Sequence, residues 1–212
     1  MLGRIGPAVQ GGRFDDALAL VNRARDADPL AADVLIWRQY LLMTMGRFTE
    51  SMGQTKAILE LDPHSVFGLS NQLMNFAYLG VRDSTEAYTR KMLAGGTNTF
   101  GARVWAMFGF AAAGRWDEVD AQRALLEREP GNSPHFTRAA ALVVYGDLDG
   151  AVAEAERSFR SQEPMNASVF WGCDLTFDPL KSRPRFVALM KEVGSAICPP
   201  KPNWPIKPRP KK

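Results

Sequence analysis

The chain is nearly empty of residues that do metal or nucleophilic chemistry, with two histidines and two cysteines in 212 residues. Cys173 and Cys198 are too few for a disulfide framework and are not spaced as metal ligands. They read most simply as free thiols in a reducing compartment, with one bridge between them as the alternative, and Cys173 as a structural thiol under the last helix. His64 and His135 each follow the end of a helical unit and read as solvated turn residues, since no His-x-x-x-His pair or serine–acid constellation accompanies them. Gly95-Gly96-Thr97 lacks the lysine of a phosphate loop, and Asp147 with Asp149 lacks the remaining ligands of a calcium loop. Asn166-Ala167-Ser168 fits a glycosylation pattern that has no meaning in a cytoplasmic protein. The expectation is a protein that is not an enzyme, with no cofactor and no metal.

Long apolar runs are missing as well. Nothing approaches the roughly eighteen residues of a membrane-spanning helix, and Met1 to Pro7 has no apolar signal core. A cytoplasmic protein without membrane contact is expected. Charge of one sign is also lacking in the body. Of 26 cations, five (Lys201, Lys207, Arg209, Lys211, Lys212) lie in 199–212, which leaves 21 against 23 acids elsewhere. The basic balance belongs to the tail and gives no basis for direct nucleic-acid binding.

What the chain does have is rhythm. Gly12, Gly46, Gly80 and Gly114 fall 34 residues apart, and Pro29–Pro63 and Pro130–Pro164 repeat the interval. Two places after three of these glycines stand Phe14, Phe48 and Trp116, with Leu148 after Gly146 in a shortened unit. Three further on, a small residue (Ala17, Ser51, Thr85, Ala151) lets two helices approach closely, and Val119 departs from that rule. Asp15-Asp16, Asp83-Ser84, Asp117-Glu118 and Asp147 precede or open the second helix of four hairpins, where carboxylates cap N–H groups and meet the dipole. Ala17, Leu18, Val21 and Ala24 share one helical face, and Ala121, Leu125 and Leu126 form part of another. A period in this range implies stacked helical hairpins that bury their apolar faces against one another.

Gly12-Arg13-Phe14…Ala17…Pro29 and Gly46-Arg47-Phe48…Pro63 resemble the tetratricopeptide repeat (TPR). The resemblance implies an all-α, right-handed superhelical solenoid of antiparallel helix hairpins over 1–164, with units near 32–65, 66–99, 100–131 and 132–164. Thr97 stands where that pattern has proline. A second stretch, Cys173 to Met190, looks like the closing segment of TPR regions in bacterial signalling proteins, where such regions follow cyclase, kinase or winged-helix domains; an acid is typical at Arg183. It implies a cap over 165–195, with a last helix from Pro184 whose Phe186, Leu189, Met190 and Val193 cover the end of the stack. Residues 196–212 read as an extended or flexible Pro-rich basic tail.

In a TPR array the first helices line a concave groove. Carried over by position, the resemblance places Ile36, Tyr40, Met43, Phe67, Ser70, Met74, Tyr78, Val104, Phe108 and Phe136 there, with Trp37, Asn71 and Trp105 at its edge. For each of them, burial in the core competes with this role. As a set, aromatics and methionine suit a surface that adapts to a peptide or helix. The function implied is a protein-interaction module, with the sensor or scaffold part of a bacterial signalling regulator as the alternative and self-association as a further one. Pro199, Pro202, Pro205 and Pro208 recur at the polyproline II turn. With Trp204 they read as a docking peptide, a stiff solubilising tail, or a segment packed on its own array.

Overall fold

The computed structural model describes residues 2–95, 100–128, 134–161 and 171–210. Gly96, Thr97, Pro130, Pro164 and the Asn166-Ala167-Ser168 pattern lie outside the described residues. Among the described residues, ten helices form five consecutive antiparallel hairpins: α1 (Ile5–Gln10) with α2 (Phe14–Ala27), α3 (Ala32–Thr44) with α4 (Phe48–Leu61), α5 (Val66–Tyr78) with α6 (Arg82–Ala94), α7 (Phe100–Ala112) with α8 (Trp116–Glu127), and α9 (His135–Tyr145) with α10 (Leu148–Ser161). A 3-10 turn (Leu175–Leu180) and α11 (Pro184–Glu192) follow. Each hairpin packs on the next, and the first helices α3, α5, α7 and α9 also stack directly on one another.

The recurrent glycines make the hairpins. Gly12, Gly46, Gly80, Gly114 and Gly146 all have φ between 72° and 81°, the left-handed conformation that ends a helix without side-chain strain. Around each one the same two bonds close the helix, as in Gly46 N to the Met43 carbonyl (2.9 Å) and Arg47 N to the Leu42 carbonyl (2.8 Å). A methyl group on Gly114 would meet nothing within 4 Å, so Gly114→Ala tests the backbone alone. It is expected to lower stability by about 1–2 kcal/mol, read as a shift in urea midpoint at constant slope.

The position five residues after each glycine is fully buried in every hairpin: Ala17, Ser51, Thr85, Val119 and Ala151 are each 0% exposed. Val119 fits where small residues stand elsewhere and is the buried residue of α8; of the face expected from Ala121, Leu125 and Leu126, Ala121 is exposed, whereas Leu125 is half-buried and Leu126 packs on the core. The expected carboxylate caps also need correction. Arg13, Val81 and Arg115 occupy the N-cap positions of α2, α6 and α8 and make no side-chain cap bond, so the acids there act from the first turn through the dipole. Asp147 does cap, accepting from Gly150 N at 2.9 Å.

Polar residues fix the register between α3, α4 and α5. Gln39 donates to Thr55 (2.9 Å), Asn71 to Gln39 (3.2 Å) and Asn75 to Ser51 (2.9 Å), all buried. Asn71 therefore belongs to the interior rather than to a groove edge. At the far end Phe186, Leu189 and Met190 of α11 join Ala151, Val152 and Ala155 of α10 in one apolar cluster, the arrangement that a terminal cap requires.

Candidate partner groove

The inner face of the stack is filled by the chain's own C-terminal segment. The first helices carry the sign of it: ten of the thirteen α5 residues are buried, and α7 is buried continuously from Ala106 to Ala112. A helix apolar on all sides is covered on all sides. Trp171 is 0% exposed, stacks on Phe177 with centroids 4.6 Å apart, and meets Phe136 edge-on at 5.0 Å. Val104 shares this cluster.

Asp178 ties array, turn and tail together. Its carboxylate accepts from Lys181 Nζ at 2.5 Å, from the Tyr78 hydroxyl at 2.9 Å and from Lys201 N at 2.9 Å. The Tyr78 hydroxyl also lies 2.8 Å from the Leu175 carbonyl. Burial and the adjacent Asp178 push the Tyr78 phenol far up. Nearby, burial raises Asp174, opposed by its bonds from Thr176, and Tyr40 is raised by burial and by the facing Asp174.

Past α11 the chain crosses the interhelix turns in order. Ala196 N donates to the Gln10 carbonyl (2.8 Å) beside Gly12, and the Lys201 side chain lies over Gly46. Trp204 sits edge-on to Tyr78 (6.4 Å) and Phe108 (5.6 Å), near Gly80. Ile206 is buried, and Arg209 grips both oxygens of Asp120 at 3.0 and 2.6 Å, one turn along α8 from Trp116. The Arg209 guanidinium also lies 5.8 Å over the Trp116 ring. Tyr145 donates to the same Asp120 at 2.9 Å, and burial followed by Asp120 pushes its phenol up to about 12.

A disulfide joins Cys173 to Cys198, with Cα atoms 4.8 Å apart, so the reading of both as free thiols is overturned. Cys173 is 1% exposed, and Cys198 N donates to the Gly172 carbonyl at 3.0 Å. His135 is also corrected: it opens α9 half-buried, with Nδ1 2.6 Å from Glu154, which Arg138 and Arg157 share. Burial raises the Glu154 carboxyl, but His135, Arg138 and Arg157 together hold it below its ordinary value. His64 stays exposed.

The groove candidates thus divide. Tyr78, Val104, Phe108 and Phe136 lie against the C-terminal segment, and Tyr40 faces Asp174. Met43 and Met74 are buried in the cluster that includes Leu175 and Ile206, and Ser70 is turned back to the Phe67 carbonyl. Ile36 is half-buried, and Phe67 is 54% exposed, meeting Trp105 edge-on at 5.5 Å. In the tail, Pro199, Pro202 and Pro208 are exposed and Pro205 is half-buried, so the contact is made by Trp204 and Ile206 rather than by a row of proline rings. In sequence, Trp116 and Asp120 share a helix face at i, i+4, whereas nothing local sets the roles of Asp178 and Lys181.

Among the described residues, no helix is long and apolar enough to cross a membrane. No family model matches the chain, and no curated protein does. A structural match is the crystal structure of a thermophilic TPR protein from Thermus thermophilus, at 18% identity and TM-score 0.58, covering 78% of this chain and 93% of that one. With the hairpins described above, that likeness makes the chain a TPR-like helical solenoid in fold.

Proposed function

We propose that the protein is a non-enzymatic interaction module in which the C-terminal segment holds the partner groove in a self-occupied state. A partner peptide or helix binds by displacing the strap formed by residues 199–210. The observation that carries this reading is Trp204, inserted between Tyr78 and Phe108 at the place where the array offers aromatic surface. The strap is suited to displacement. Most of it is exposed, and its outer anchor, Arg209 to Asp120, is reached by solvent, so water and salt compete for it. Segments with few buried contacts open at low free energy. A rigid array built beforehand then loses little entropy on binding. The Cys173–Cys198 bridge favours an oxidising compartment over the cytoplasmic one, because thiols are kept reduced in the cytosol.

The test is hydrogen exchange on the full-length protein, with and without a partner captured by the wild-type chain. Residues 199–210 are expected to exchange faster once the partner is bound, while the ends of α5 and α7 stay protected. A partner that binds and leaves the strap unchanged would move the site to another face.

A further inference from the structure

We propose that the ledge running from the Gly46 turn to Trp116 and Asp120 is a docking track for extended, proline-rich protein segments carrying a tryptophan and, five residues later, an arginine. This rests on the strap being displaceable, and it names what displaces it. The chain's own tail is the resident copy of that ligand, and its contacts define the subsites.

The first subsite is an aromatic notch, in which Tyr78 and Phe108 both meet Trp204 edge-on, with centroids within 6.4 Å. The second takes the Ile206 side chain, buried in the cluster that includes Met74 and Phe108. The third is a clamp: Asp120 receives two parallel N–H bonds from Arg209, and Trp116 lies beneath the guanidinium. Two parallel bonds are a geometry that arginine makes and lysine cannot. Tyr145 donates to the same carboxylate, holding it in position before an arginine arrives.

Spacing supplies the selectivity. Five residues of extended chain span about 16 Å, against about 7.5 Å in a helix, so a helical ligand cannot reach the notch and the clamp with this pair. Prolines between and around the anchors stiffen the extended form and reduce the entropy lost on docking. Charge agrees locally: Asp117, in the first turn of α8, adds its field to that of Asp120 at the Arg209 guanidinium, while Glu118 is taken by Arg90. A cleft of about 500 Å³ separates the tail residues Pro202, Trp204 and Pro205 from Leu79, Arg82 and Thr85 of the array.

The experiment uses a fluorescein-labelled peptide with the sequence of residues 199–212, titrated by anisotropy against full-length proteins. A resident tail competes at an effective concentration on the order of millimolar. The full-length Trp204→Ala/Arg209→Ala variant, folded by circular dichroism, is therefore expected to bind the peptide at least about tenfold tighter than wild type. Adding Asp120→Asn to that variant should remove most of the gain, as should a peptide whose tryptophan is alanine. Equal binding to wild type and variant, or none to the vacated variant, overturns the track; strap release by a captured partner would then still stand, with that partner's chemistry different. Wild-type dimerisation by tail exchange, seen by light scattering and abolished by Trp204→Ala, would overturn the assignment to a separate partner in favour of a second copy.

Discussion

Replacing Asp178 with alanine is expected to lower the unfolding free energy by about 3–5 kcal/mol, the usual cost of leaving one member of a buried ion pair behind. Lys181 and Asp178 have side chains 0% and 2% exposed. Without the carboxylate, the Lys181 ammonium would keep its desolvation penalty and lose its counter-charge. Lys201 N would lose its acceptor in the same step, while the Tyr78 hydroxyl would keep the Leu175 carbonyl. An unsatisfied buried donor costs about 1–3 kcal/mol by itself, so the upper part of the range is expected. The control is Asp178→Asn with Lys181→Met, which removes both charges, nearly keeps the volume and leaves an amide oxygen to accept from the Tyr78 hydroxyl and Lys201 N. Such replacements are often neutral or stabilising, and the double variant should recover a large part of the loss in urea denaturation. An Asp178→Ala protein within about 1 kcal/mol of wild type would mean that water reaches this pair.

The same residue marks the limit of what the sequence discloses. Asp178-Pro179-Leu180 reads as a turn, and it is one. Nothing local says that the turn sits inside the solenoid with its carboxylate against Tyr78, a hundred residues earlier. The hairpins were legible because their determinants are local: a glycine that must take positive φ, and a small or compact residue five places later on the buried side. The filled groove was not legible because it depends on a long return of the chain. One hint was available in composition. α7 reads Val104-Trp105-Ala106-Met107-Phe108-Gly109-Phe110, apolar on every face, which suits a helix covered on all sides better than the wall of an open groove. The tail held another, since Trp204 and Ile206 are apolar residues that a purely solubilising segment has no use for. His135 looked like a turn residue because its partner Glu154 lies on the opposite helix of the hairpin.

Breaking the Cys173–Cys198 bridge is expected to have the second large effect, with two parts that can be measured separately. The bridge spans 25 residues, and in the chain-entropy account a loop of that size restrains the unfolded state by about 3.5 kcal/mol. The Cys173→Ser/Cys198→Ser protein should therefore melt well below the oxidised wild type and close to wild type reduced with dithiothreitol. The second part is local. Cys198 stands six residues before Trp204, so the bridge holds the strap close to its notch. Once it is cut, the tether lengthens back toward Gly194, the effective concentration of Trp204 at Tyr78 and Phe108 falls, and residues 199–210 should exchange amide protons faster. The interior of α3 through α7 would change only with the global stability, because its hydrogen bonds open with the whole array. Dithiothreitol and the double serine variant should agree on both readouts. If melting falls while strap exchange stays fixed, the bridge is a staple for the cap alone, and Trp204, Ile206 and Arg209 hold the strap without it.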